Sequence, residues 1–235
     1  VNKSSSFMNP KLYTGNSSAR TISGVGFQPD FTWLKVRDGA TAHFLFDVLR
    51  GPLYRIQSNS TNTSVSAANT LTAWNSDGFA LGNENDTNGN SRLFASWNWK
   101  AGTSFTNDAS STSVGSVDTA GSVNTDAGFS IMKYTGVSGE QTIAHGLGAV
   151  PKLILVKNLD STENWRIYHH SLGAGSYLKL NTADAKVDDT GPFSNTTPTS
   201  SVITMGGDDG TMHANEELIA YIFAEKQGYS KFGTY

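Results

Sequence analysis

The chain repeats itself. Pro29-Asp30-Phe31-Thr32-Trp33-Leu34-Lys35 falls on Pro151-Lys152-Leu153-Ile154-Leu155-Val156-Lys157 at an offset of 122 residues. The same offset lays His43–Asp47 on Trp165–His169 and Tyr54–Asn59 on Ser176–Asn181. Upstream, Tyr13-Thr14-Gly15 matches Tyr134-Thr135-Gly136, and each is followed by a Thr-Ile pair, Thr21-Ile22 and Thr142-Ile143. Further along the register slips by a few residues, so that Leu81-Gly82 falls near Met205-Gly206 and Leu93–Lys100 near Leu218–Glu225. A repeat of this period makes each copy a unit with its own core, and it predicts two related units rather than one large domain.

Composition narrows the class. Ser, Thr, Asn and Gly make up about two residues in five, and charged residues only 16%. That mixture lacks the Lys, Glu, Leu and Ala runs of long helices and favours turns and short strands. A hydrophobic share of 37% is enough for packed cores. The net charge of −3 comes without a basic block, which argues against nucleic acid as a partner. No apolar run approaches 18 residues, so no membrane-spanning helix and no membrane partner are expected. Without cysteine there is neither a disulfide framework, nor a thiolate metal site, nor a cysteine nucleophile.

Short β-rich runs recur at roughly ten-residue spacing. Phe31–Val36 and Lys152–Lys157 each follow a proline, which a strand tolerates at its start. His43–Phe46, Phe129–Tyr134, Asn164–Tyr168, Tyr177–Leu180 and Ser201–Met205 also qualify, and Asn75–Phe79 is a turn into a strand. Phe46–Gly51 has room for a helical turn. Glu216–Lys226 has helical propensity, but its repeat partner Leu93–Trp99 alternates apolar and polar positions, so both are expected as strands with helix as the alternative. The expected fold is all-β: two tandem homologous β-sandwich domains, jelly-roll-like, over residues 1–105 and 129–235. Residues 106–128 read as an inter-repeat linker by composition, while the recurring Val114, Val117 and Val123 mark part of that stretch as an extended edge segment.

The strings Gly128-Phe129-Ser130-Ile131, Tyr134-Thr135-Gly136, His145-Gly146-Leu147-Gly148, Pro151-Lys152, Asn164-Trp165, Phe223-Ala224-Glu225 and Gly228–Tyr235 carry a resemblance. Together they are similar to a repeat found in bacteriophage tail-fibre and other virion structural proteins. The likeness covers nearly all of the second unit from about Gly121, in order. The first unit departs from it, with Gly24-Val25-Gly26-Phe27 in place of the His-Gly-Leu-Gly string and Trp97-Asn98-Trp99-Lys100 near the place of Phe223-Ala224-Glu225. The resemblance implies a non-enzymatic virion component, in a tail fibre or host-adhesion apparatus, with no cofactor. Its partners would be other copies of the chain and neighbouring virion proteins, as a homo-oligomer that analogy makes a trimer. In the resembled repeat the terminal string leads into a new Tyr-Thr-Gly, so Tyr235 stands where Tyr13 and Tyr134 stand. That, with a start at Val1 in place of Met, leads to the expectation of a segment of a longer repeat protein, against the alternative of a natural two-unit protein. Two other functions remain open: a carbohydrate-binding module for host-surface polysaccharide, and a capsid decoration protein.

Residues with chemistry are few. No Gly-x-Ser-x-Gly elbow is present, and no catalytic residues are assigned. His169-His170 sit next to each other, which on a strand sends them to opposite faces, so no shared metal is expected from the pair. His145 lies in a Gly-rich turn where its ring has backbone partners in reach. Glu84–Gly89 resembles half of a calcium loop, but Ala95 stands at the twelfth position where a bidentate Glu belongs, and a solvated hairpin loop is the better reading. Asp208-Asp209-Gly210 and Asp188-Asp189 read as turns. Binding is assigned to aromatic faces, with Trp74, expected in a loop, and Trp165, at a strand entry, as the glycan-stacking candidates. Trp97 and Trp99 share one strand face at period two, either as sandwich core or as a glycan platform.

Overall fold

A computed structural model describes residues 3–234. Tyr235, on which the reading of a following repeat rests, lies outside the described residues. The fold is all-β, and the chain divides into two compact units that meet in sequence at Gly102-Thr103.

In the first unit a 3-10 turn at Ser4–Ser6 precedes β1 (Met8–Thr14), β2 (Arg20–Ile22), β3 (Phe31–Val36), β4 (Phe44–Asp47), β5 (Tyr54–Gln57), β6 (Val65–Ser66), β7 (Leu71–Asn75), β8 (Gly78–Leu81), a one-turn helix α1 (Asn85–Asn88) and β9 (Leu93–Trp99). One sheet runs β1-β9-β3-β4-β5-β6 and a smaller one β2-β8-β7. They form a sandwich-like pair of layers. Tyr13, Leu34, Val36, Phe44, Phe46 and Phe94 from the large sheet pack on Ile22, Leu71, Phe79 and Leu81 from the small one. The period-two rule accounts for this: alternate side chains of β3 and β9 enter the core and their neighbours leave it.

The second unit contains β10 (Thr103–Asn107), a one-turn helix α2 (Ala109–Thr112), β11 (Thr119–Asn124), β12 (Phe129–Thr135), β13 (Gln141–Ala144), β14 (Leu153–Asn158), β15 (Arg166–His169), β16 (Ser176–Tyr177), β17 (Val187–Asp188), β18 (Val202–Met205), a one-turn helix α3 (Asp209–Met212) and β19 (Glu217–Phe223). Its large sheet runs β10-β11-β12-β19-β14-β15, with β13-β18 and β16-β17 as separate pairs. Met132, Tyr134, Ile154, Val156, Leu218 and Ile222 share a core with Ile143, Ile203 and Met205 of the smaller layer. Glu217–Phe223 is a strand despite its helical propensity, because it is the sheet's central member, bonded to β12 on one side and β14 on the other.

Pairing registers repeat between the units at the sequence offset. Phe31 faces Asp47 and Leu153 faces His169; Leu34 faces Phe44 and Val156 faces Arg166. Tyr54 faces Ser66 as Ser176 faces Asp188. The His43 N–H donates to Asn59 Oδ1 at 3.0 Å, and the Trp165 N–H to Asn181 Oδ1 at 3.0 Å. At β9 and β19 the register sets Trp99 against Phe31 and Phe223 against Leu153, an offset of 124, one residue from the sequence alignment.

Residues 106–128 are not a free linker. β10 and β11 pair with each other and extend the sheet beyond β12, with Val117 and Val123 buried in the core. The valines carried the informative signal; Ser and Thr satisfy a strand's exposed face as readily as a loop. Among the described residues, β1 ends its own sheet. At the position where β12 has Ile131, facing Ser122 of β11, β1 has Pro10. A proline there removes the N–H that a further strand would need, which is how an edge is protected against pairing.

Candidate functional site

Three indoles lie on the outer face of the first unit's large sheet. Trp33 of β3 faces Trp97 of β9, and Trp99 follows two positions along the same strand face. Each is half-buried. With His43 they line a shallow groove of about 270 Å³. The Trp33 Nε1–H donates to His43 Nδ1 at 3.0 Å, and the two rings meet edge-on with centroids 6.0 Å apart. Trp99 is tilted on Phe31 at 5.1 Å. Burial, and then the Lys35 charge, hold the His43 ring below its ordinary pKa, so it is neutral near pH 7. Since Nδ1 accepts from Trp33, the neutral ring carries its proton on Nε2. Pro10, opposite Trp97, is exposed, and Leu12 at 64% and Leu93 at 39% extend the apolar surface along the same face.

The two residues assigned to glycan stacking from sequence are placed differently. Trp165 is 0% exposed and stacks on Tyr221 with centroids 6.3 Å apart, so its ring offers no face to a sugar. A Trp at a strand entry has the same sequence signature whether it turns inward or outward. Trp74 is in β7, not in a loop; its half-buried ring packs against the first unit's core. The turn Ser76-Asp77 begins after it, between Asn75 and Gly78. The period of two puts Trp97 and Trp99 on one face, whereas the pairing of β3 with β9 that sets Trp33 beside them is a tertiary feature with no signal in the sequence.

The polar clusters hold the architecture. His145 is 0% exposed; its Nε2 lies 3.2 Å from the Thr199 carbonyl and its Nδ1 accepts from the Leu147 N–H at 3.3 Å. Burial lowers its pKa to about 4 against the Thr199 contact, which works the other way. In the same turn Gly146 and Gly148 take φ +70° and +64°, which suits Gly. The His169 and His170 rings do not diverge: β15 ends at His169, the chain turns, and the centroids lie 5.0 Å apart. Asn88, in the suspected calcium loop, spends its amide on the Ser18 and Gly82 carbonyls at 2.7 and 2.8 Å, and the loop forms α1. Among the described residues no group of three or more His, Asp and Glu is placed to hold a metal ion.

One buried polar group of the second unit was not anticipated. Lys157 is 0% exposed, its ammonium donating to the Asn158 and Ser161 carbonyls at 2.6 and 3.3 Å. Burial lowers its pKa to about 8, opposed by Glu163 and Glu216. Beside it Glu216 accepts from Asn158 Nδ2 at 2.6 Å and Ser161 Oγ at 2.5 Å. Asp208 pairs with Arg166 at 2.9 Å and its side chain accepts the Gly210 N–H at 2.8 Å, capping α3. Donors and acceptors close on one another here, which fixes three loops to one strand end.

No helix among the described residues is long and apolar enough to cross a membrane. No curated protein and no solved structure matches the chain. A family match spans residues 3–235 and so takes in both units. The protein belongs to the family described as Domain of unknown function (DUF7483).

Proposed function

We propose that the protein is a non-enzymatic structural component of a phage virion, part of a tail fibre or host-adhesion apparatus. The observation that carries this reading is what the motif residues do. Tyr134 donates to the Thr211 carbonyl at 2.6 Å, Gly136 lies against the His213 backbone, and His145 closes its turn from within the core. These are the residues on which the resemblance to tail-fibre repeats rests, and each serves the framework. Asp47, Asp77, Asp208 and Glu216 are likewise committed to backbone amides or neighbouring side chains. Part of the exposed surface is apolar: Leu12, Leu93 and the half-buried indoles share one face of the first unit's large sheet. Contiguous exposed apolar area of this kind marks association with another macromolecule.

The partners on this reading are further copies of the chain and neighbouring virion proteins, with a trimer by analogy to fibres. Mass spectrometry of gradient-purified particles tests the first statement, and sedimentation equilibrium of the purified protein the second. Recovery of the chain in stoichiometric amounts with the particles is expected. Its presence only in the soluble lysate removes the virion assignment, and a monomer at high concentration removes self-association.

A further inference from the structure

We propose that the groove formed by Trp33, Trp97, Trp99 and His43 is a binding site for an uncharged glycan, taken by the apolar face of a pyranose ring. This goes beyond the virion assignment and does not depend on it.

The first argument is comparison within the chain. At the register positions of His43, Trp33, Trp97 and Trp99 the second unit has Trp165, Leu155, Tyr221 and Phe223. Trp165, Leu155 and Tyr221 are buried apolar packing. The first unit has kept the backbone and exchanged that packing for half-exposed indoles and an imidazole. Filling space does not require three partly exposed tryptophans on one face of a sheet.

The second argument is chemical. Indoles offer flat apolar area, which suits the C–H face of a sugar ring. His43 supplies a polar contact of fixed character. Its Nδ1 is occupied by Trp33 and its backbone N–H is held by Asn59, so the Nε2–H is oriented as a hydrogen-bond donor. A sugar hydroxyl accepts from such a donor. No carboxylate or ammonium lines the groove. Lys35, the nearby cation, directs its ammonium to the Gly39 carbonyl and the Thr41 hydroxyl, at 3.1 and 3.4 Å. An anionic ligand would therefore lose water without gaining a direct ion pair in the groove, and a neutral polyol loses less. The groove is smaller than the pockets of roughly 300–1,000 Å³ that enclose drug-sized ligands, and it is shallow, which fits one or two units of an extended polysaccharide rather than an engulfed small molecule.

Titration of the full chain with neutral oligosaccharides of glucose, galactose, mannose and N-acetylhexosamine, followed by tryptophan fluorescence and calorimetry, tests the proposal. A sulfated oligosaccharide serves as the charged probe. At least one neutral sugar is expected to bind and the sulfated one not to. Trp97→Ala should weaken binding roughly tenfold, whereas Trp97→Phe, which keeps a flat ring, should stay within about threefold. His43→Ala should weaken binding without changing the number of bound sugars. Should Trp97→Ala fail to fold, the Phe and His43 variants decide. The proposal is overturned by a wild-type chain that binds none of the neutral sugars, by preference for the sulfated probe, or by binding unchanged in the folded Trp97→Ala or His43→Ala variants.

Discussion

The hydroxyl of Tyr134 donates to the backbone carbonyl of Thr211 at 2.6 Å, from a ring that is buried in the second unit's core. Tyr13 does the same to Thr87 at 2.6 Å in the first unit. Each bond ties a sheet strand to a one-turn helix, α3 and α1 respectively. Burial raises the pKa of both phenols, so they stay protonated and donate throughout the ordinary pH range. Tyr134→Phe leaves a buried carbonyl without its donor and should cost about 1–3 kcal/mol, and Tyr13→Phe should cost a similar amount. Urea denaturation of the two variants measures this.

His145 gives a pH dependence whose sign is fixed. Its pKa is about 4 when folded and near 6.5 when unfolded, so between these values the unfolded chain binds more protons. Stability from this residue is fully present above pH 6.5 and is lost as pH falls towards 4, by up to roughly 3 kcal/mol. Replacing His145 with Phe should flatten that part of the stability profile. Thermal melts at intervals from pH 7 to 4 compare the two chains; an equal slope in both would assign the effect to another group.

Asp47 and Arg50 form a buried ion pair at 2.6 Å, with side chains 0% and 3% exposed. Asp47 also accepts the N–H groups of Leu49 and Arg50 at 3.1 and 2.9 Å, closing the turn after β4. Asp47→Ala removes the carboxylate from a buried guanidinium, which keeps its bond to the Leu45 carbonyl at 2.9 Å, and should destabilise the protein by about 3 kcal/mol. The double variant with Arg50→Met should recover part of that loss. Calorimetric unfolding of both reports the difference.

The central strands were legible as short β-rich runs, and the repeat supported them in both units. The offset that lays Pro29 on Pro151 recurs in the structure, where β3 pairs with β4 as β14 pairs with β15, residue for residue. It also resolved Glu217–Phe223 as a strand where propensity favoured a helix. The strand of Met8–Thr14 is harder to see: its proline and mixed polarity belong to an edge strand, which lacks a clean hydrophobic alternation. β10 and β11 were obscured by the Ser, Thr and Gly that a half-exposed strand shares with a loop.

The candidate site was legible only in part. Period two put Trp97 and Trp99 on one face, but which face turns outward depends on where the second sheet packs, and that is a tertiary property. The same ambiguity holds for Trp165, whose place at a strand entry fits either face and whose ring lies in the interior. The Asn-Ser-Asp-Gly string that follows Trp74 marks the turn closely but not the strand end, which runs on to Asn75. Lys157 gave no signal, since a lysine at a strand end is ordinarily solvated and its burial follows from the loops that fold over it.

Immunogold electron microscopy of purified phage particles, with antibody raised against the folded chain, tests the central assignment most directly. The account predicts gold confined to the tail or its fibres. Particles without label, or gold distributed over the capsid surface, would contradict it.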